Sequence, residues 1–195
     1  VQHLLKVAIL PLPEIEIFMT LLSRYLLKIA AEDSEFLSRI PLEICVAISH
    51  QSFLNEYVYQ VGESEITLIK KLQDKVVAKI NSVKSLGLKD EKCTALLAAY
   101  IPMDKWIDGD LDALDAEGLK SVFESQIKNE RIEADLLNQI ETLTDISDET
   151  SIKVKDQYEE NPFPRWSSLS LPARGSIGGT LETLFPHYQA PATFY

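Results

Sequence analysis

Cysteine is scarce in this chain, with only Cys45 and Cys93 among 195 residues. That excludes a disulfide framework and any paired-cysteine metal motif, so both are expected as buried thiols in a reducing, cytoplasmic compartment. Histidine is equally thin: His3, His50 and His187 lie far apart, none a helical turn from another, which argues against a metal site. Glycine is low, and the one glycine-rich stretch, GSIGG at 175–179, has no apolar strand before it and no dinucleotide spacing. It reads as a linker rather than a phosphate cradle. No run approaches the ~20 uncharged apolar residues of a membrane helix, because Lys6, Pro11, Glu14 and Glu16 interrupt the longest ones. The opening VQHLLKVAILPLPE is too short and too weakly basic for a signal peptide, with no small-residue cleavage site. It begins on Val rather than Met, as an excised piece or an incomplete reading frame is expected to. There is no convincing alternating strand and no internal repeat with tetratricopeptide spacing.

Positive charge is also in short supply, and unevenly so. Residues 1–100 carry 11 basic and 12 acidic side chains, whereas residues 101–195 carry 8 and 18, for a net charge of −11. A surface of that sign repels phosphate backbones, so no nucleic-acid partner is expected. The excess between Asp104 and Glu160 reads first as a solvated helical face.

What the chain has in quantity is helical periodicity. In residues 14–31 a stripe of Ile15, Phe18, Leu22, Tyr25, Leu26 and Ile29 predicts a helix, with Pro13 before it and Asp33-Ser34 after it. Pro41 suits the first turn of a second helix, about 42–60, whose apolar residues reach almost all round and mark it as central. Gly62 is its natural stop. Residues 63–85 predict a more amphipathic helix, burying Ile66, Ile69, Leu72, Val76 or Val77, Ile80 and Val83, and ending at Gly87. A short helix at about 90–100 is stopped by Ile101-Pro102. The acidic stretch 101–116 is turn-rich, and helices follow at about 116–129 and 130–140. Ser147 is placed to cap a helix at about 148–160, with acids suiting its N-terminus. Residues 167–180 read as a flexible crossing segment, and TLETLF at 180–185 as one more short helix. The expected architecture is all-α, a compact bundle of about seven helices over 1–160, with an irregular Pro/Gly/Ser-containing arm over 161–195.

Candidate chemistry is sparse. DGDLDALDAEGL, 108–119, sets Asp108, Asp110 and Asp112 at calcium-loop positions, but Ala113 stands where the loop needs Gly and Leu119 where it needs Glu. His50, in ISHQSFLNEYVY with Gln51, Asn55 and Glu56, belongs either to a buried polar network or to a recognition face. Cys45 lies too far around that helix from His50 for a nucleophile pair. In DQYEENPFPRW, 156–166, Pro162 and Pro164 hold Asn161 and Phe163 extended, so the chain leaves its helix on a stiff track. Phe163 and Trp166 need apolar cover, and Arg165 can pair with Glu159 or Glu160 or stack on a ring. This is either a helix stop pinned to its own domain or a docking element shared with a neighbour.

The run QYEENPFPRW resembles a signature, usually QYEENPYPRW, of bacterial proteins that join tetratricopeptide repeats to an S-adenosylmethionine-dependent methyltransferase domain. HQSFLNEYVY, 50–59, followed by Glu63 and Glu65, is similar to that family's QCFxNEYVF helix. LLAAYIPM, 96–103, is similar to its LAAYxPL. The three occur in the family's order over roughly residues 20–166. Phe163 departs from the usual Tyr and lacks its hydroxyl.

The resemblance implies the helical region between the repeats and the catalytic domain, with a strand and a glycine-rich cofactor loop expected after the signature. The chain ends at APATFY before any such loop. It is therefore expected to be non-catalytic itself, with no cofactor of its own and S-adenosylmethionine belonging to the parent protein. Its expected partners are the downstream methyltransferase domain and upstream repeats. The residues expected to contact substrate or the adjoining domain are Tyr158, Glu159, Asn161, Phe163, Arg165 and Trp166, then Asn55, Glu56 and Tyr57; Tyr158 and Arg165 are candidates to face a cleft. The alternative is a stand-alone helical interaction module that meets a basic partner through its acidic face. A self-contained helical enzyme would need a clustered acid, base or metal set, which the sequence does not offer.

Overall fold

The computed structural model describes residue 5, residues 12–107, 114–137, 139–140, 147–160 and 177–185, and residues 187 and 189. Helices dominate and no strand occurs among the described residues, so the fold is all-α. No helix among them is long and apolar enough to cross a membrane. The chain divides into two units, Val1–Arg165 and Trp166–Tyr195.

In the first unit, α1 spans Pro13–Ala31. Pro13 stands at its start, where a missing N–H costs nothing, and Glu14 and Glu16 suit the N-terminal dipole. The buried face differs from the expected stripe. Leu26 and Ile29 of that stripe are buried and Ile15 and Leu22 pack partly against the core, but Met19, Ser23, Leu27 and Ala30 also point inward, while Phe18 and Tyr25 stay 60% and 51% exposed. Apolar residues lie on both sides of this helix, so periodicity alone has two solutions about one residue apart. Close packing on two neighbours selects the side carrying small residues, Ser23 and Ala30.

The helix α2 spans Leu42–Leu54, with Pro41 at the N-cap rather than in the first turn. Every residue from Cys45 to Leu54 is buried. It ends six residues before the expected boundary, because Asn55 caps it and the chain then turns left-handed at Glu56 (φ 51°) and Tyr57 (φ 54°). The Tyr57 N–H donates back to Ser52 O at 2.9 Å and the Glu56 N–H to Phe53 O at 3.1 Å. These bonds close the helix as a glycine would, but without one. Gly62 therefore caps the start of the next helix rather than stopping this one.

The helix α3, Glu63–Ser82, buries Glu65, Ile69, Leu72 and Val76; Ile66 faces out, and Val77, Ile80 and Val83 are half-buried. Gly87 caps the start of α4, Leu88–Leu97, rather than ending α3. All residues from Glu91 to Ala99 are buried, and α4 packs on α1, α2 and α3. It is as central as α2.

After α4 come a 3-10 turn, Met103–Lys105, and an isolated parallel bridge between Ser85 and Asp115. The two helices expected over 116–140 are one continuous run instead. A 3-10 turn, Glu117–Leu119, leads into α5, Lys120–Phe123, then a π turn, Glu124–Lys128, then α6, Asn129–Leu137. The π turn places Gln126 in the core, where its Oε1 accepts the Met103 N–H (3.3 Å) and its Nε2 donates to Ser49 Oγ (3.0 Å) and Ala98 O (3.2 Å). Those three bonds account for the local widening of the helix. The helix α7 spans Glu149–Glu160. Asp148, not Ser147, caps it, accepting from the Ser151 N–H at 2.9 Å and the Ser151 hydroxyl at 3.1 Å.

In the second unit, α8 spans Ile177–Leu184. Ile177, Gly178 and Gly179, expected in a linker, are helical.

Candidate functional site

The turn after α2 closes one side of a small cavity of about 20 Å³. Thr20 and Ser23 come from α1, Tyr57, Tyr59 and Gln60 from the turn, Glu65 from α3, and Ala99 and Tyr100 from the end of α4. Chain segments far apart in sequence meet here because α1 and α4 both pack on α3.

Glu65 is the electrostatic centre. Buried at the first turn of α3, its Oε2 accepts the Gly62 N–H at 2.8 Å and pairs with Arg24 Nε at 3.0 Å. Its Oε1 accepts the Tyr100 hydroxyl at 3.2 Å. Arg24 also donates from Nη2 to Gln60 O at 3.0 Å, tying the turn to α1. Burial pushes the Tyr100 phenol well above its ordinary value, and the Glu65 charge adds to it. Tyr59 is raised as well, mainly by burial. Both are therefore neutral phenols at physiological pH.

The remaining hydroxyls are mostly occupied. Tyr57 donates to Ala98 O at 3.2 Å, Asn55 Nδ2 donates to Tyr59 Oη at 2.8 Å, and Thr20 donates to Glu16 O at 2.9 Å. Ser23 Oγ is the exception. The residue is 8% exposed, and its hydroxyl is the one buried side-chain polar atom among the described residues without a partner. Leaving such a group unsatisfied costs roughly 1–3 kcal/mol.

Backbone strain meets the cavity at the same place. Glu56 and Tyr57 are consecutive left-handed residues with side chains, each costing on the order of 1 kcal/mol. Tyr57 is held there by its bond to Ala98 O, which also accepts from Gln126.

A second cavity, about 450 Å³, lies between the start of α4 and the 3-10 turn Glu35–Arg39. Its cations are taken: Lys92 donates to Leu37 O and Ser38 O at 3.1 and 3.2 Å, and Lys89 pairs with Asp33 at 2.7 Å. Its size exceeds the first, but no unsatisfied buried group points to a guest.

Of the expected contact residues, Tyr57 lines the first cavity, Asn55 fixes Tyr59, and Glu56 supplies the turn. Tyr158 lies on α7, 61% exposed. Glu159 lies in the same helix, its side chain outside the described set. Asn161, Phe163, Arg165 and Trp166, with Pro162 and Pro164, lie outside the described residues, as do Asp108, Asp110 and Asp112. Sequence reasoning did not single out Ser23, Arg24 or Tyr100 as site residues. Arg24 and Glu65 are 41 positions apart, and an acid three residues after Gly62 looks like a cap alone.

His50 belongs to a different network. Its Nε2 lies 3.1 Å from Ser121 Oγ and its Nδ1 3.4 Å from Ser125 Oγ. The Ser125 hydroxyl donates to Val122 O at 3.1 Å, which leaves its oxygen to accept from Nδ1–H and Nε2 to accept from Ser121. Cys45 and Cys93 are free and buried; burial pushes the Cys45 thiol up to about 12 and raises Cys93. Neither is a nucleophile at neutral pH. Among the described residues no group of His, Cys, Asp and Glu could hold a metal ion.

No protein-family model, no curated protein and no solved structure matches this chain.

Proposed function

We infer that this chain is the non-catalytic helical domain of a cytoplasmic S-adenosylmethionine-dependent methyltransferase, in which it positions substrate or the adjoining catalytic domain. One observation carries the reading. The stretches HQSFLNEYVY with Glu65, and LLAAYIPM, each resemble the family's pattern, and Tyr57, Tyr59, Glu65 and Tyr100 from them line one cavity. Strain at Glu56 and Tyr57 fits a built binding feature rather than a passive turn.

The described residues do not fit the cofactor. The cavity of about 20 Å³ is far below the roughly 300 Å³ at which small-molecule sites begin. The larger cavity has the volume, but no glycine lines it, so it lacks the close backbone approach that a class I cofactor requires.

The test is the coding sequence beyond Tyr195. An apolar strand and a glycine-rich loop are expected; a stop codon there overturns the reading. Calorimetric titration of the isolated chain with S-adenosylmethionine should show no binding. The second reading, an acidic interaction module, is favoured by the exposed carboxylates Glu117, Glu124, Glu133, Asp135, Glu149 and Asp156. A stop codon combined with salt-sensitive capture of a basic protein would select it.

A further inference from the structure

We propose that the cavity at the turn after α2 binds a primary alkylammonium group, the head of a lysine side chain or of a small unbranched amine. This deepens the function proposed above, and rests on it only in taking the cavity as a binding site.

Three features define the guest. The first is size. A cavity needs roughly 10–15 Å³ to admit one water-sized centre. At about 20 Å³ this one admits one or two heavy atoms, enough for an ammonium nitrogen and its carbon, and too small for a trimethylated head. The second is the wall. Tyr57, Tyr59 and Tyr100 line it, and their hydroxyls are bonded to protein groups, which leaves aromatic carbon as the lining they provide. A cation presented to the face of such a ring is attracted by it. The third is the polar pair. Glu65 supplies a buried carboxylate whose Oε1 accepts only the Tyr100 hydroxyl among the bonds described, and Ser23 Oγ is a buried hydroxyl with no partner. An ammonium, with three donors and no acceptor, has the donors that both oxygens call for. Arg24 neutralises Glu65 from the Oε2 side, so the empty site is stable and binding is weakened by the guanidinium.

The experiment is titration of the full chain with methylammonium and with N-acetyl-lysine amide, read by NMR shifts of the tyrosine rings. Tetramethylammonium and sodium at equal ionic strength are the controls. Saturable shifts from either primary amine support the proposal, and the tighter of the two names the source of the head group. No saturable shift, or equal shifts from tetramethylammonium or sodium, overturns it. Glu65→Gln should weaken binding more than tenfold and Arg24→Gln should tighten it severalfold. Glu65 also caps α3, so the decisive variant is Ser23→Ala, which removes a hydroxyl bonded to nothing in the protein. It should leave the fold intact and weaken binding severalfold; unchanged affinity overturns the proposal. If the amine binds while the gene stops at Tyr195, the site stands and the methyltransferase reading falls. If a methyltransferase domain follows but no amine binds, only this inference falls.

Discussion

The helices α4 and α7 are ten and twelve residues long, and both mix lysines and acids with apolar residues. Their environments are opposite. In α4 every residue from Glu91 to Leu97 is buried, polar ones included; in α7 every described side chain is exposed. Isolated helices of this length are marginal in water. The helicity of α4 is imposed by the three helices packed around it, so its polar groups must be answered: Lys92 by two carbonyls, Glu91 by the Gly118 N–H at 2.9 Å. The helicity of α7 rests on local devices, the Asp148 cap and the Glu149–Lys153 pair at 2.6 Å. Within one chain, then, α7 is held by a cap and a short-range pair where α4 is held by burial.

The sharpest way to break that contrast is to truncate one apolar side chain in each helix. Leu97→Ala in α4 should cost about 2–5 kcal/mol, whereas Ile152→Ala in α7 should stay within about 0.5 kcal/mol. Urea unfolding followed by circular dichroism separates them; equal shifts in midpoint would dissolve the comparison.

Gly118 packs against the buried Glu91 of α4. A methyl group there would meet Leu42 Cδ2 at 2.3 Å and the buried Glu91 carboxylate at 2.8 Å. Gly118→Ala should therefore destabilise by about 1–3 kcal/mol, through overpacking and displacement of a buried charge. A thermal melt unchanged by this substitution would mean that the Glu91 anchor gives way freely.

The turn after α2 should respond in the other direction. Glu56→Gly relieves a left-handed residue at the cost of extra freedom in the unfolded chain, and should stabilise by up to about 1 kcal/mol. If that variant is more stable yet keeps full affinity for methylammonium, the strain at Glu56 serves packing alone.

The smallest effect is at the surface. Asp33 lies between Lys75 and Lys89 at 2.6 and 2.7 Å, and the bonds to those lysines lower its carboxyl from the usual 3.8 to about 2. Its contribution is complete above the unfolded value and disappears as pH falls from about 4 towards 2. The group is largely exposed, so screening holds the effect below about 1 kcal/mol. Asp33→Asn keeps a side chain tolerant of the left-handed backbone at this position (φ 63°) and should flatten that part of the stability profile. Loss of the slope in wild-type protein at high salt would confirm its origin.

The elements that carried local signals were readable from sequence. Pro13, the heptad-like run of α3 and the acidic start of α7 place three helices within one to three residues of where they occur. The failures share a cause. Nothing in Asn55-Glu56-Tyr57 marks a helix end, because the left-handed turn is enforced by contacts such as Tyr57 to Ala98 O, 41 positions away. On α1, Phe18 and Tyr25 face outward for the same reason: its small residues matter only once α3 and α4 are beside it. At the site, Tyr57 was visible as part of a pattern, whereas Ser23 looked like one polar residue in an apolar helix. Its significance lies in the absence of a hydrogen-bond partner, which no one-dimensional reading can detect.

The Gln126 amide has a consequence for how this protein can move. It links α2 through Ser49, the end of α4 through Ala98 and the Met103 turn to the widened helix. A slide of that helix by even one residue would strand several polar atoms together, in a structure where Ser23 Oγ is the one such buried side-chain atom among the described residues. Gradual drift is therefore closed off, and any rearrangement of α5 and α6 must be a discrete jump between registers. Because the Ala98 carbonyl is shared with Tyr57, such a jump would be felt at once on the wall of the tyrosine-lined cavity.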